Sequence, residues 1–272
     1  RGGEVYVDID GDGIADPDEL IQGVSSNSRG EVLLEGDALS ADVIILGGIN
    51  TDTGAINELS LTAPTGYSVV NPLSTLVAQV MQKGSSEGEK TVAEAEALVV
   101  SALGLSLAEG DSLSEYDPLS DDSEAALGNR IVTAQIATVL AVATSSATDA
   151  EAAAEAQSTA LENLAVLIED SASTDTDVTL DAETVTALLV NAQGASLVSV
   201  AALEELKNAV QELKVATSID EVVAVQAAAT DALATSAPEV SLVAASDTGV
   251  VGDSSTADVT PSIKVKFDVD SL

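Results

Sequence analysis

Val70-Asn71-Pro72-Leu73-Ser74-Thr75-Leu76-Val77-Ala78-Gln79-Val80 is where the periodicity of the chain changes. Asn71-Pro72 has the N-cap and first-turn pattern of a helix. Leu73, Leu76, Val77 and Val80 follow at i, i+3, i+4 and i+7, the spacing of one helical face. Lys83-Gly84 then supplies a basic last turn and a glycine stop. Apolar residues come in short strand-like runs before this point and at helical spacing after it. The fold class that follows is α+β: a β-sandwich-like subdomain over 1–68, a multi-helix bundle over 69–236, and a linker with an incomplete Ig-like β segment over 237–272.

Outward toward the N-terminus, Val5-Tyr6-Val7-Asp8-Ile9 is rich in strand formers, and residues 31–35 form a second such run after the turn Asn27-Ser28-Arg29-Gly30. Val43-Ile44-Ile45-Leu46 is continuously apolar and stops at Gly47-Gly48, as a strand buried on both faces does. Residues 56–62 alternate and close at Ala63-Pro64-Thr65-Gly66. Outward toward the C-terminus, helices are expected near 91–104, 123–143, 149–169, 181–191, 199–216 and 218–235. Each begins at or near Ser, Thr or Asp, and Thr91 with Glu94 has the spacing of a capping box. Beyond Pro238 the pattern returns to β, with a strand near 240–244 and an alternating strand over 263–269 that has no later strand to pair with.

Composition narrows the function. The 272 residues carry 46 Asp plus Glu against 9 Lys plus Arg, so 9 − 46 leaves a formal charge of −37, with no His, no Cys and 1% aromatics. Without Cys there is no disulfide, thiol nucleophile or thiolate metal site. Without His the usual general base and the commonest transition-metal ligand are missing. Such a charge repels nucleic-acid phosphates and anionic lipid, and scarce aromatics leave few stacking platforms for sugars or single strands. The 46% hydrophobic content is too high for a disordered acidic chain. No run of about 20 apolar residues marks a membrane span. The opening Arg-Gly-Gly-Glu has no signal-peptide character and reads as cut from something longer. Paired carboxylates are everywhere, no Ser-x-x-Lys motif or phosphate-binding glycine loop occurs, and the expectation is a structural or adhesive protein outside the cell, not an enzyme.

One motif is sharp. In Asp8-Ile9-Asp10-Gly11-Asp12-Gly13-Ile14-Ala15-Asp16-Pro17-Asp18-Glu19, Asp8, Asp10, Asp12, Ile14, Asp16 and Glu19 occupy positions 1, 3, 5, 7, 9 and 12 of a Ca²⁺ loop, with Gly13 at position 6 for the sharp turn. Position 7 contributes its backbone carbonyl. Crowded carboxylates repel one another without a cation. A strand precedes the loop, so a helix–loop–helix sensor is not expected. Weaker candidates for a second ion are Asp52 and, at a junction with a following domain, Asp247, Asp253 and Asp258. For Asp52 the simpler reading is a turn over 50–54. The acids near Asp117 and those between 170 and 181 are read as helix-terminal charges.

Together these residues resemble segments of giant bacterial surface adhesins and biofilm-associated proteins. In that family a calcium-loop β module leads into a Pro-Leu-Thr-Thr-Leu-Val helix, then into a helical region containing Ala-Leu-Gly-Leu and Tyr-Asp-Pro. The matching stretches here are Val5 to Glu19, Gly47-Gly48, Pro72-Leu73-Ser74-Thr75-Leu76-Val77, Ala102-Leu103-Gly104-Leu105 and Tyr116-Asp117-Pro118. Ala245-Ser246-Asp247-Thr248-Gly249 through Thr260-Pro261-Ser262 is similar to the start of a bacterial Ig-like repeat. The resemblance covers Gly2 to about Pro118 and the C-terminal segment. It implies an extracellular adhesin or matrix-fibre segment holding Ca²⁺ at Asp8, Asp10, Asp12, Asp16 and Glu19, with neighbouring domains or copies of itself as partners. Two alternatives stand beside it. One is a fibre subunit whose strand residues Ile263, Val265, Phe267 and Val269 complete the β domain of the next copy; the other is a lectin-like binding domain.

Overall fold

The computed structural model describes residues 1–34, 40–50, 53–54, 56–57, 59–83, 90–117, 124–174, 176–236, 239–242 and 263–266. Tertiary contacts divide the chain into two units, Arg1–Thr230 and Asp231–Leu272. The first unit opens with strands β1 (Glu4–Asp8), β2 (Leu20–Ser25), β3 (Asp42–Leu46) and β4 (Ser60–Ala63). Helices α1 (Pro72–Lys83), α2 (Val92–Ala102), α3 (Glu124–Thr144), α4 (Ala150–Thr174), α5 (Ala182–Leu188) and α6 (Val200–Val215) follow, and the division between the units falls within α7 (Ile219–Ser236). The α+β class therefore holds.

The four strands make one antiparallel sheet in the order β2-β1-β3-β4. This corrects the sandwich-like expectation, because these strands fill a single layer and α1 packs against β4. Residues directly opposite each other in such a ladder share a face. Val5 pairs with Ile45, Val7 with Val43, Ile45 with Leu61 and Val43 with Ala63, so these six form one apolar face. Tyr6, Ile44 and Thr62 lie on the other.

Two strand assignments change. Residues 31–34 are not in a strand, and Leu33 is 80% exposed; Glu35 lies outside the described residues. The second strand is instead Leu20–Ser25, running straight through Gly23. Gly23 has φ +76° and the β1–β2 register shifts between Glu4 and Tyr6. That is a bulge, which glycine accommodates. The final strand before the helices is also shorter than its alternation implies: Ser60–Ala63 pairs with β3, while Ile56 makes only an isolated bridge to Ile49. β3 is central in the sheet, but of its apolar residues only Ile44 is fully buried.

The helical ends follow their caps. Asn71 Oδ1 accepts from Leu73 and Ser74 N–H to start α1, Thr91 and Glu94 form the reciprocal capping box of α2, and Ser199 caps α6. Asp181 Oδ1 accepts from Glu183 and Thr184 N–H at α5. This helix ends at Leu188, three residues before Asn191, because the chain turns through Asn191–Gly194 and bridges Val190 to Ser196. α3 packs against α4 and α6, and Ile136, Leu140, Leu164, Ile168, Leu206 and Leu213 are fully buried among them. Ala126–Thr144 of α3 is long and apolar enough to cross a membrane by length and composition, with 61% of that window buried inside the protein. It refines the expectation that no stretch reaches this threshold, and its burial is that of a bundle's central helix.

In the second unit, β5 (Glu239–Leu242) and β6 (Ile263–Lys266) pair antiparallel, with Val240 opposite Val265 and Leu242 opposite Ile263. The strand containing Ile263 and Val265 is thus not a lone strand, as its sequence context implied: its partner precedes it in the chain. Phe267 and Val269 lie outside the described residues.

Candidate metal centre

The acidic motif is the connection of the β1–β2 hairpin. Asp8 is the last residue of β1, Glu19 immediately precedes β2, and Val7 N–H donates to the Glu19 carbonyl at 3.1 Å to close the mouth of the loop. Both gatepost carboxylates are buried, Asp8 at 4% and Glu19 at 7% exposure. The strand after the loop makes it a loop within a β-hairpin, one strand more than the sequence disclosed.

Backbone amides hold the carboxylates in place. Asp8 accepts Gly11 N–H on Oδ1 at 2.7 Å and Gly13 N–H on Oδ2 at 2.9 Å. Asp10 Oδ1 accepts from Asp12 N–H, Asp12 Oδ1 from Ile14 N–H, and Glu19 Oε1 from Ile9 N–H at 2.6 Å. Glu19 Oε2 accepts from Asp16 N–H at 3.4 Å. Each oxygen keeps a second lone pair, so these bonds orient the side chains without exhausting them. Gly11 and Gly13 both have φ +76°, which lets the chain fold back twice in three residues.

The result is two overlapping groups. Carboxylate oxygens of Asp8, Asp10 and Glu19 lie within 4.8 Å of one another, and so do those of Asp10, Asp12 and Asp16. Both groups could hold a metal ion, and Asp10 belongs to each. All five side-chain candidates of the motif thus fall into one or other of these two groups, joined through Asp10. Ile14 sits inside the loop, its N–H on Asp12. The donor set is oxygen alone, which suits a hard divalent cation.

Electrostatics agree with crowding. Burial pushes the Asp8 carboxyl above its ordinary value; the amides of Gly13 and Gly11 oppose this, and Glu19 and Asp12 add to it. Asp16 is also raised, by desolvation first and then by Asp12, Asp18, Glu19 and Asp10. A cation at the centre would reverse both like-charge contributions.

Asn50, Thr53 and Gly54 form a turn in which Asn50 accepts from both later amides; Asp52 within it lies outside the described residues, as do Asp247, Asp253 and Asp258. Sequence reasoning missed Gln82 of α1, whose side chain lies so close to Gly13 that a Cβ there would come within 2.7 Å of Nε2. No signal in the sequence ties Gln82 to the loop, since the contact spans two elements. Comparison of the chain with protein-family models, with curated proteins and with solved structures gave no match.

Proposed function

We propose that this chain is a calcium-binding structural module of an extracellular bacterial adhesin or biofilm-matrix protein. The observation that carries the reading is the β1–β2 loop, where five carboxylates gather in two overlapping groups, four of them already oriented by backbone amides. Ca²⁺ suits such a site better than Mg²⁺, because it accepts six to eight oxygens in irregular geometry whereas Mg²⁺ demands a near-ideal octahedron. The ion would join β1 to β2 and neutralise the most crowded acids of a chain at −37. The adhesive context rests on the family resemblance and on the acidic, His-free and Cys-free composition.

Isothermal calorimetry with Ca²⁺ and with Mg²⁺ on the whole chain tests the ion. One Ca²⁺ site with Kd in the region of ~10⁻⁵ to 10⁻³ M, as for extracellular modules and weaker sensors, and much weaker Mg²⁺ binding are expected. An absence of Ca²⁺ heat and an unchanged melt in EDTA defeat the reading. Loss of calcium-dependent cell aggregation on removing the loop carboxylates in the producing bacterium tests the adhesive role.

Assembly of copies by strand addition is a second reading, and the sheet edges bear on it. β4 is covered by helix side chains while β2 is the other edge of the sheet. An incoming strand would thus add at β2, next to the metal loop. Calcium-dependent growth of oligomers in sedimentation velocity is its expected signature; monomers with and without Ca²⁺ exclude it.

A further inference from the structure

The chain has only three arginines, Arg1, Arg29 and Arg130, and all three line one cavity of about 770 Å³ within the first unit. Its walls are the apolar sheet face, including Val43, Ile45 and Leu61, and the α3 residues Ala134 and Ala137. Glu31 and Asp117 are the only acids among its described lining residues. A protein with 46 acids against 9 bases has here three bases against two acids. Glu31 is further engaged by Asn27 Nδ2 at 3.0 Å.

The three cations are not equivalent. Arg130 is 7% exposed and is held by an interaction within the chain. Arg29 is exposed and makes no ion pair with a described residue; its backbone N–H is fixed on Asn27 Oδ1 at 2.8 Å. The side chain is thus presented at the rim from a pinned turn. Val43, Ile45 and Leu61 retain partial exposure on the floor of the cavity, where a sheet face ordinarily has a covering layer.

We propose that this cavity binds an amphipathic organic anion, a long-chain carboxylate, with its apolar chain along the Val43–Ile45–Leu61 face and its head group at Arg29. The volume lies in the ~300–1,000 Å³ range of small-molecule sites. A guanidinium at the rim of an apolar cleft supplies the bidentate, charge-assisted bond that a carboxylate accepts. Charge complementarity selects the sign of the head group. The net charge of the chain opposes anions in general, so the local excess of arginine is what favours one here.

The test uses three probes with the same twelve-carbon chain: dodecanoate, dodecanol and dodecyltrimethylammonium. They are titrated into the whole chain, desalted so that no free calcium precipitates the carboxylate, with circular dichroism confirming the fold. Saturable dodecanoate binding about tenfold tighter than dodecanol is expected, the worth of one charge-assisted contact. Arg29→Gln should abolish that tenfold advantage with an unchanged melt, and Ala137→Phe should weaken both dodecanoate and dodecanol by narrowing the cleft. Tighter binding of the cation than of the anion overturns the proposal, as do equal binding of dodecanoate and dodecanol, or an Arg29→Gln variant that binds dodecanoate like the parent. A dimer in sedimentation that dodecanoate does not dissociate assigns the cleft to a second copy and equally overturns it. None of these readouts depends on the metal loop.

Discussion

The side-chain amide of Gln157 brackets the peptide of Ser60: its Oε1 accepts from Ser60 N–H at 3.1 Å, and its Nε2 donates to the Ser60 carbonyl. Gln157 belongs to α4 and Ser60 to the edge strand β4, ninety-seven residues apart. Two residues along the strand, Thr62 N–H donates to Thr75 Oγ1 at 2.9 Å, and its carbonyl accepts from Ser74 Oγ at 2.7 Å. Helices α1 and α4 thereby imitate a fifth strand, and the β4 edge has no unpaired backbone group to offer at these positions, a common protection of sheet edges. Gln157→Ala removes both partners of a part-buried peptide, at a cost of ~1–3 kcal/mol. The expected loss is roughly 2–12 °C of melting temperature for a chain of this size, read by circular dichroism. Gln157→Glu should lose more at neutral pH, because a carboxylate accepts from Ser60 N–H but repels its carbonyl. That excess should shrink on acidification, when the new carboxyl is protonated and donates again.

Gly13 and Gly11 share φ +76°, yet only Gly13 has a neighbour within reach, the Gln82 side chain at 2.7 Å from an added Cβ. Alanine at either position incurs the left-handed backbone strain of ~1 kcal/mol. Gly13→Ala must also displace Gln82. Its melting loss should therefore exceed that of Gly11→Ala, and Gln82→Ala should recover part of the excess in Gly13→Ala while doing nothing for Gly11→Ala. Equal losses for the two glycine variants would show that the Gln82 side chain yields to an added Cβ without cost.

What the residues disclosed in advance was local. The change of period at Asn71, the caps at Thr91, Asp181 and Ser199 and the spacing of the acidic loop are each set by a few neighbouring residues, and each is where the pattern puts it. What stayed hidden depends on partners far along the chain. The bulge at Gly23 needs β1 beside it, the single sheet in place of a sandwich depends on which element covers each face, and β6 finds its partner β5 upstream. The gathering of three distant arginines around one cavity is likewise a property of packing.

Two classes of acid respond oppositely to pH. Backbone hydrogen bonds hold Glu94, Asp181 and Glu221 below their ordinary values, chiefly from Thr91, Thr184 and Thr217. A lowered folded value means stability that is present above the unfolded pKa and lost as pH falls through the folded one. Asp8 is raised, by burial before all else, so acidification through its folded value, above the ordinary 3.8, favours the metal-free fold. Calcium needs the carboxylate, so binding in that window releases a proton and weakens as pH drops. Calorimetry in two buffers of different ionisation enthalpy should detect the proton near that window and none well above it. In Asp8→Asn the release should decrease.

Glu19 and Asp18 are adjacent but only Glu19 belongs to the converging groups; Asp18 is exposed and in neither. Their charges are equal, so the pair separates coordination from general attraction. Glu19→Gln keeps the shape and removes the charge from a side chain whose Oε1 also anchors Ile9 N–H at 2.6 Å, and Ca²⁺ affinity should fall by tenfold or more, about 1.4 kcal/mol or above. Asp18→Asn removes the same unit of charge and should change affinity by no more than about twofold, since exposed charges are screened. At Ca²⁺ one hundred times its Kd the parent gains ~2.7 kcal/mol of folding stability by linkage. The Asp18→Asn protein should keep that gain, whereas the Glu19→Gln protein at the same Ca²⁺ should lose about half of it or more, because tenfold weaker binding removes about 1.3 kcal/mol. An Asp18→Asn loss as large as that of Glu19→Gln would mean the loop attracts calcium diffusely, without a defined set of ligands.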